Sequence, residues 1–80
     1  MKIKKNIALS DSGFVFDPAT GDSFTTNPIG LEIIKLLKDG KTQQEIKSTI
    51  VKKYLIDEAT FEKDSYDFMN MLSKHRLTEA

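Results

Sequence analysis

The stretch Gly13–Gly30, GFVFDPATGDSFTTNPIG, decides the fold. Phe14-Val15-Phe16 reads as a short strand, with Phe14 and Phe16 together on one face by the two-residue period of a strand. Asp17-Pro18-Ala19-Thr20-Gly21 carries turn chemistry: Pro18 sets φ early in the turn, and Gly21 takes a positive φ at its exit. Asp22 to Thr26 follows as the hairpin partner, with Phe24 and Thr26 on one face and Ser23 and Thr25 on the other. Asn27 then caps a helix that Pro28 opens, since proline lacks the N–H that a first helical position leaves unpaired. Phe14, Phe16 and Phe24 are expected to anchor the sheet to the helices.

Upstream, Ile3, Ile7 and Leu9 alternate loosely with Lys4, Lys5 and Asn6, which predicts a first, partly exposed strand ending at the turn Asp11-Ser12-Gly13. Downstream the period changes to that of helices. Ile29, Ile33 and Leu36, with Gly30, Ile34 and Leu37, form a broad apolar face that Gly40 terminates. Gly30 inside this helix costs about 1 kcal/mol relative to alanine, so close packing against the sheet is expected there. Thr42 and Glu45 have the spacing of a capping box, opening a second helix with Ile46, Ile50, Val51 and Tyr54 inward. Asp57 caps a third helix, along which Phe61, Ser65, Phe68 and Leu72 share a stripe flanked by Met69 and Met71. That helix should end near His75-Arg76, with Leu77 packing back. The expected fold is α+β and winged helix-turn-helix-like: a three-stranded antiparallel sheet followed by three helices, in a single domain over residues 1–80.

Composition removes several function classes. The chain has 80 residues, with 12 Lys and Arg against 12 Asp and Glu, and so no net charge. Nucleic-acid binding rests on phosphate neutralisation, so this balance argues against nucleic acid as the partner. Without cysteine there is no disulfide and no thiolate metal site. The lone histidine, His75, has no neighbouring ligand set, and no glycine-rich phosphate loop is present, so neither metal nor cofactor is expected. Glu58, Glu62, Asp64 and Asp67 spread around the third helix as a solvated face rather than as an acid–base pair. The chain is therefore expected not to be an enzyme. MKIKKNIAL is too short for a signal peptide, and Lys35 interrupts the longest apolar cluster, so a cytoplasmic protein with no membrane span is expected.

Binding remains, by one of two routes. A winged-helix DNA reader would use Lys41, Gln43, Gln44, Lys47, Lys52 and Lys53 on or beside the second helix, but arginine, a preferred reader of guanine, occurs only at Arg76. Alternatively, a peptide adds as a strand to the third strand, DSFTT, which carries neither proline nor lysine to block pairing. The third helix would wall the same groove, with Met69 as a partner contact and Tyr66 exposed. A second copy could use the same edge, so a monomer or weak homodimer is expected.

The order and spacing of these features resemble the PqqD-like family. An apolar residue before Asp, a turn with Gly, an aromatic strand and Asn-x-x-Gly opening a helix correspond to Phe16-Asp17, Gly21, Phe24 and Asn27-Pro28-Ile29-Gly30. Asp39-Gly40-Lys41-Thr42-Gln43-Gln44-Glu45-Ile46 and the trio Asp64, Phe68 and Leu72 continue the pattern. The resemblance implies a non-catalytic peptide chaperone, or precursor-peptide recognition element. Such a domain binds the leader segment of a ribosomally made peptide and presents it to a modifying enzyme, often a radical S-adenosylmethionine enzyme. It also implies peptide contacts at Asp22, Ser23, Phe24, Thr25 and Thr26 in the strand, and at Phe61, Ser65, Phe68, Met69 and Leu72 in the last helix. The chain departs from the family pattern at Thr26, where leucine is common, at Ser65, where an apolar residue is common, and at Arg76, near a usual glycine.

Overall fold

The computed structural model describes residues 2–79. The order is β1 (Lys2–Ile3), β2 (Ala8–Leu9), β3 (Phe14–Phe16), β4 (Ser23–Thr25), α1 (Pro28–Lys38), α2 (Gln43–Tyr54), α3 (Glu58–Lys74) and β5 (Thr78–Glu79). β2, β3 and β4 form an antiparallel meander in that order, followed by the three helices. The expected α+β architecture is thus present, with β4 at one edge of the three-stranded sheet.

The expected first strand is two strands. Ile7 N–H donates to the Lys4 carbonyl at 3.3 Å, so the chain turns between β1 and β2 instead of running straight. This turn buries Ile3 and Ile7 while leaving Lys5 and Asn6 exposed. β1 then pairs with β5, which the sequence pattern did not announce: Lys2 lies opposite Glu79 and Ile3 opposite Thr78. Two-residue strands carry no readable alternation, and this pair exists because tertiary packing brings its halves together.

The aromatic assignment is also corrected. Across the β3–β4 hairpin, Phe14 faces Thr25, Val15 faces Phe24 and Phe16 faces Ser23. Residues directly opposite share a face. Val15 and Phe24, with Leu9 opposite Val15 on β2, therefore make the inner face. Phe14 and Phe16 lie on the outer face, and Phe14 is 44% exposed. Only Phe24 of the three anchors the sheet to the helices. The turn at 17–21 sets this register. Asp17 Oδ1 accepts from Ala19 N–H at 2.9 Å, and Gly21 takes φ +81°.

Ile34, Ile46, Ile50 and Leu72 are fully buried where the three helices meet, and Ile3, Ile7, Val15 and Leu77 complete the core from the strand side. The helix starts follow their capping residues. Asn27 Oδ1 accepts from Gly30 N–H at 2.7 Å, Thr42 and Glu45 make the reciprocal capping box, and Asp57 Oδ2 accepts from Thr60 N–H at 3.1 Å. α3 ends in a Schellman motif: Arg76 N–H donates to Ser73 O and Leu77 N–H to Leu72 O, with Arg76 at φ +58°. Leu77 is buried by this turn, as its position predicted.

Candidate functional site

Hydrogen bonding at both ends of the hairpin fixes which way the β4 backbone points. Asp17 N–H donates to Asp22 O and Thr26 N–H to Gly13 O, each at 2.8 Å. Backbone groups alternate direction along an antiparallel strand. Asp22, Phe24 and Thr26 thus turn their main-chain groups toward β3. Ser23 and Thr25 turn their N–H and C=O away from it, onto the open edge. Among the described residues no strand pairs with that side of β4. An unpaired edge of this kind is a template for another strand.

α3 flanks the same edge. The Phe24 ring stacks on His75, with centroids 5.4 Å apart and planes at 27°. At the other end of β4, Gly30 lets Phe68 and Thr26 close in: a Cβ there would collide with Thr26 Oγ1 and stand 3.0 Å from the Phe68 ring. The close packing expected at this helical glycine is therefore present, but against Thr26 just beyond β4 and the Phe68 ring of α3 instead of against the sheet itself. Met71 lies on the same helix face, three residues after Phe68 and four before His75. Phe68, Met71 and Phe24 are half-buried, which leaves apolar surface beside the free backbone groups. Since Phe68 meets the Thr26 end of β4 and His75 meets Phe24, α3 runs antiparallel to the strand. Near Phe68 a recess of ≈ 200 Å³ opens, lined by Ile29, Ile33, Ile56 and Phe61, with Asn27 and Asp64 also at its wall.

The residues singled out from sequence divide into two groups. Ser23, Phe24, Thr25, Thr26 and Phe68 come together along the β4–α3 groove, with Asp22 just before β4. Phe61, Ser65, Met69 and Leu72 are buried, at 4, 6, 8 and 0% exposure. Phe61, Ser65 and Met69 also border a larger hollow of ≈ 520 Å³ between α2 and α3, together with Gln43, Gln44 and Tyr66. Met71 and His75 were missed as groove residues. Their spacing from Phe68, three and seven residues, carried the signal, but His75 was read only as a lone histidine without a ligand set near the end of the third helix.

The lysines of α2 are partly committed elsewhere. Lys47 pairs with Glu62 at 2.8 Å and Lys53 with Glu32, and these hydrogen bonds push both ammonium pKa values up. The two pairs join α2 to α3 and to α1, which removes them from a free basic face. No described helix is long and apolar enough to cross a membrane.

Residues 13–77 match the family described as Coenzyme PQQ synthesis protein D (PqqD). No curated protein matches the chain. Among solved structures, it is similar to that of TbiB1 in complex with the TbiA(beta) leader peptide. The TM-score is 0.87 and the identity 32%, covering 100% of this chain and 96% of that one.

Proposed function

The chain belongs to the PqqD family, and from that premise we propose that it is a non-catalytic peptide chaperone that binds the leader of a ribosomal precursor peptide by strand addition to β4. The observation that carries this reading is the free edge at Ser23 and Thr25 beside the half-apolar face of α3. Main-chain hydrogen bonds to that edge supply affinity, and side-chain contacts in the adjoining groove supply specificity. That TbiB1 has been solved with a leader peptide supports a leader peptide as the ligand here. The bound leader would then be presented to a modifying enzyme, for which the family resemblance suggests a radical S-adenosylmethionine enzyme.

The test is a titration with synthetic leader peptides taken from short reading frames neighbouring this chain's gene, followed by amide NMR shifts. The largest changes are expected at Ser23, Thr25 and the α3 residues from Phe68 to His75. Changes confined to α2 or to the β1–β5 pair would overturn the reading. Thr25→Pro removes an outward N–H without touching the β3–β4 ladder and should weaken binding at least about tenfold. Unchanged affinity in a folded Thr25→Pro variant would exclude that N–H as a ligand contact.

A further inference from the structure

The outer face of the sheet carries two aromatic rings that the core does not use. The register sets Phe14 opposite Thr25 on β4, and Phe16 between Ala8 on β2 and Ser23 on β4. The neighbours on that face are small, so neither ring has a large cross-strand partner. Phe14 remains 44% exposed and Phe16 half-buried. Ser23 and Thr25 are also the residues whose backbone faces the open edge. Whatever strand pairs there projects its side chains opposite Ser23 and Thr25 onto this same outer face, because opposite residues share a face. The side chain opposite Phe24 goes the other way, into the groove with Met71 and His75.

We propose that the leader is read on both faces, with large apolar side chains opposite Ser23 and Thr25 lying over these short residues onto Phe16 and Phe14. This inference rests on the strand-addition reading and specifies its substrate class. The bound segment carries apolar residues at three adjacent positions, outward, inward and outward, instead of alternating apolar with polar. A strand with polar outward residues would leave both rings in water. The occupant is the leader itself because the face is continuous with the edge at which the strand pairs.

The experiment uses a synthetic leader peptide that shifts the Ser23 and Thr25 amides in the titration above, and measures its affinity for Phe14→Thr combined with Phe16→Thr. Threonine keeps strand propensity on an outward face. Covering the exposed part of two rings, on the order of 60 Å², corresponds to about a tenfold loss in affinity when they are removed. Phe14→Tyr keeps the ring and should keep the affinity. Alanine at the leader's outward positions should weaken binding to the natural chain and have little further effect on the double variant. If the double variant fails to fold, Phe14→Ser alone, at the more exposed ring, carries the same comparison with about half the logarithmic effect. Should Thr25→Pro weaken binding while the threonine variant stays within about twofold of the natural chain, the two-faced reading is wrong and strand addition stands. Should Thr25→Pro bind normally and the amides of Ser23 and Thr25 not respond, strand addition itself fails. Concentration-dependent self-association that disappears in the threonine variant, with leader affinity unchanged, would instead assign the face to a second copy and overturn the proposal.

Discussion

Arg76 and Leu55 hold backbone conformations that side chains other than glycine resist. Both have positive φ, +58° at Arg76 and +54° at Leu55, and each sits where a helix ends. A left-handed residue with a Cβ costs about 1–2 kcal/mol against glycine. At Arg76 the strain is sustained by the two hydrogen bonds of the Schellman motif and by burial of Leu77. Leu55 is also 90% exposed, so its side chain adds little in return. Arg76→Gly and Leu55→Gly should each raise stability by about 1 kcal/mol, visible as a rise of several degrees in Tm. A fall in Tm for Arg76→Gly would mean that the arginine side chain contributes more than its backbone costs. At this scale the sequence was readable where chemistry is local: Asn27, Thr42 and Asp57 cap helices as their identities predict. Arg76 could be suspected only because the family places a glycine nearby.

At the level of elements, α2 depends on its first turn. Its only fully buried apolar residues are Ile46 and Ile50, so packing holds one stripe and the capping box secures the start. Thr42→Ala should cost about 1 kcal/mol. Hydrogen bonds from the Thr42 backbone and side chain hold the Glu45 carboxyl below the usual carboxylate range. A carboxylate whose pKa is lower in the folded state contributes stability that is present above its unfolded pKa and lost as pH falls through the folded one. Stability should therefore decline between about pH 5 and pH 3 by a component that Glu45→Gln abolishes, because glutamine keeps the reciprocal hydrogen bond and cannot ionise. Urea unfolding of both chains across that range measures it, and identical slopes would remove Glu45 as a source. The helices were legible because long apolar periods and caps agree. The strands were less so. Phe14 and Phe24 cannot share a face once the hairpin pairs Phe14 with Thr25, and that register follows from how the 17–21 loop folds, which alternation within either strand does not reveal. The same limit explains Met69. Its flanking position on α3 suggested a partner contact, but α2 packs against that side and buries it.

For the molecule as a whole, the pairing of β1 with β5 sets where α3 stops, and hence how the groove is shaped. Lys4 N–H donates to Leu77 O at 2.9 Å, next to the paired residues Ile3 and Thr78. Ile3 and Leu77 are both buried, at 4% and 2%. These contacts hold the last turn of α3 in place, and that turn carries His75 against Phe24. Pairing between residues so far apart in sequence leaves no local trace, so this part of the candidate site was invisible where the β4 edge was not. Leu77→Ala leaves a cavity between the sheet pair and α3 and should cost about 2–5 kcal/mol, much of the stability of so small a domain. Its effect should be uneven. Hydrogen exchange is expected to speed up first over residues 71–79, while Ile34 and Ile46 keep their protection until global unfolding. Leader affinity should fall in parallel, because a loosened last turn releases His75 and Met71 from the groove while leaving Ser23 and Thr25 available. If exchange accelerates uniformly across the helices, or if affinity is unchanged while residues 71–79 open, then the β1–β5 closure supports the fold without shaping the groove.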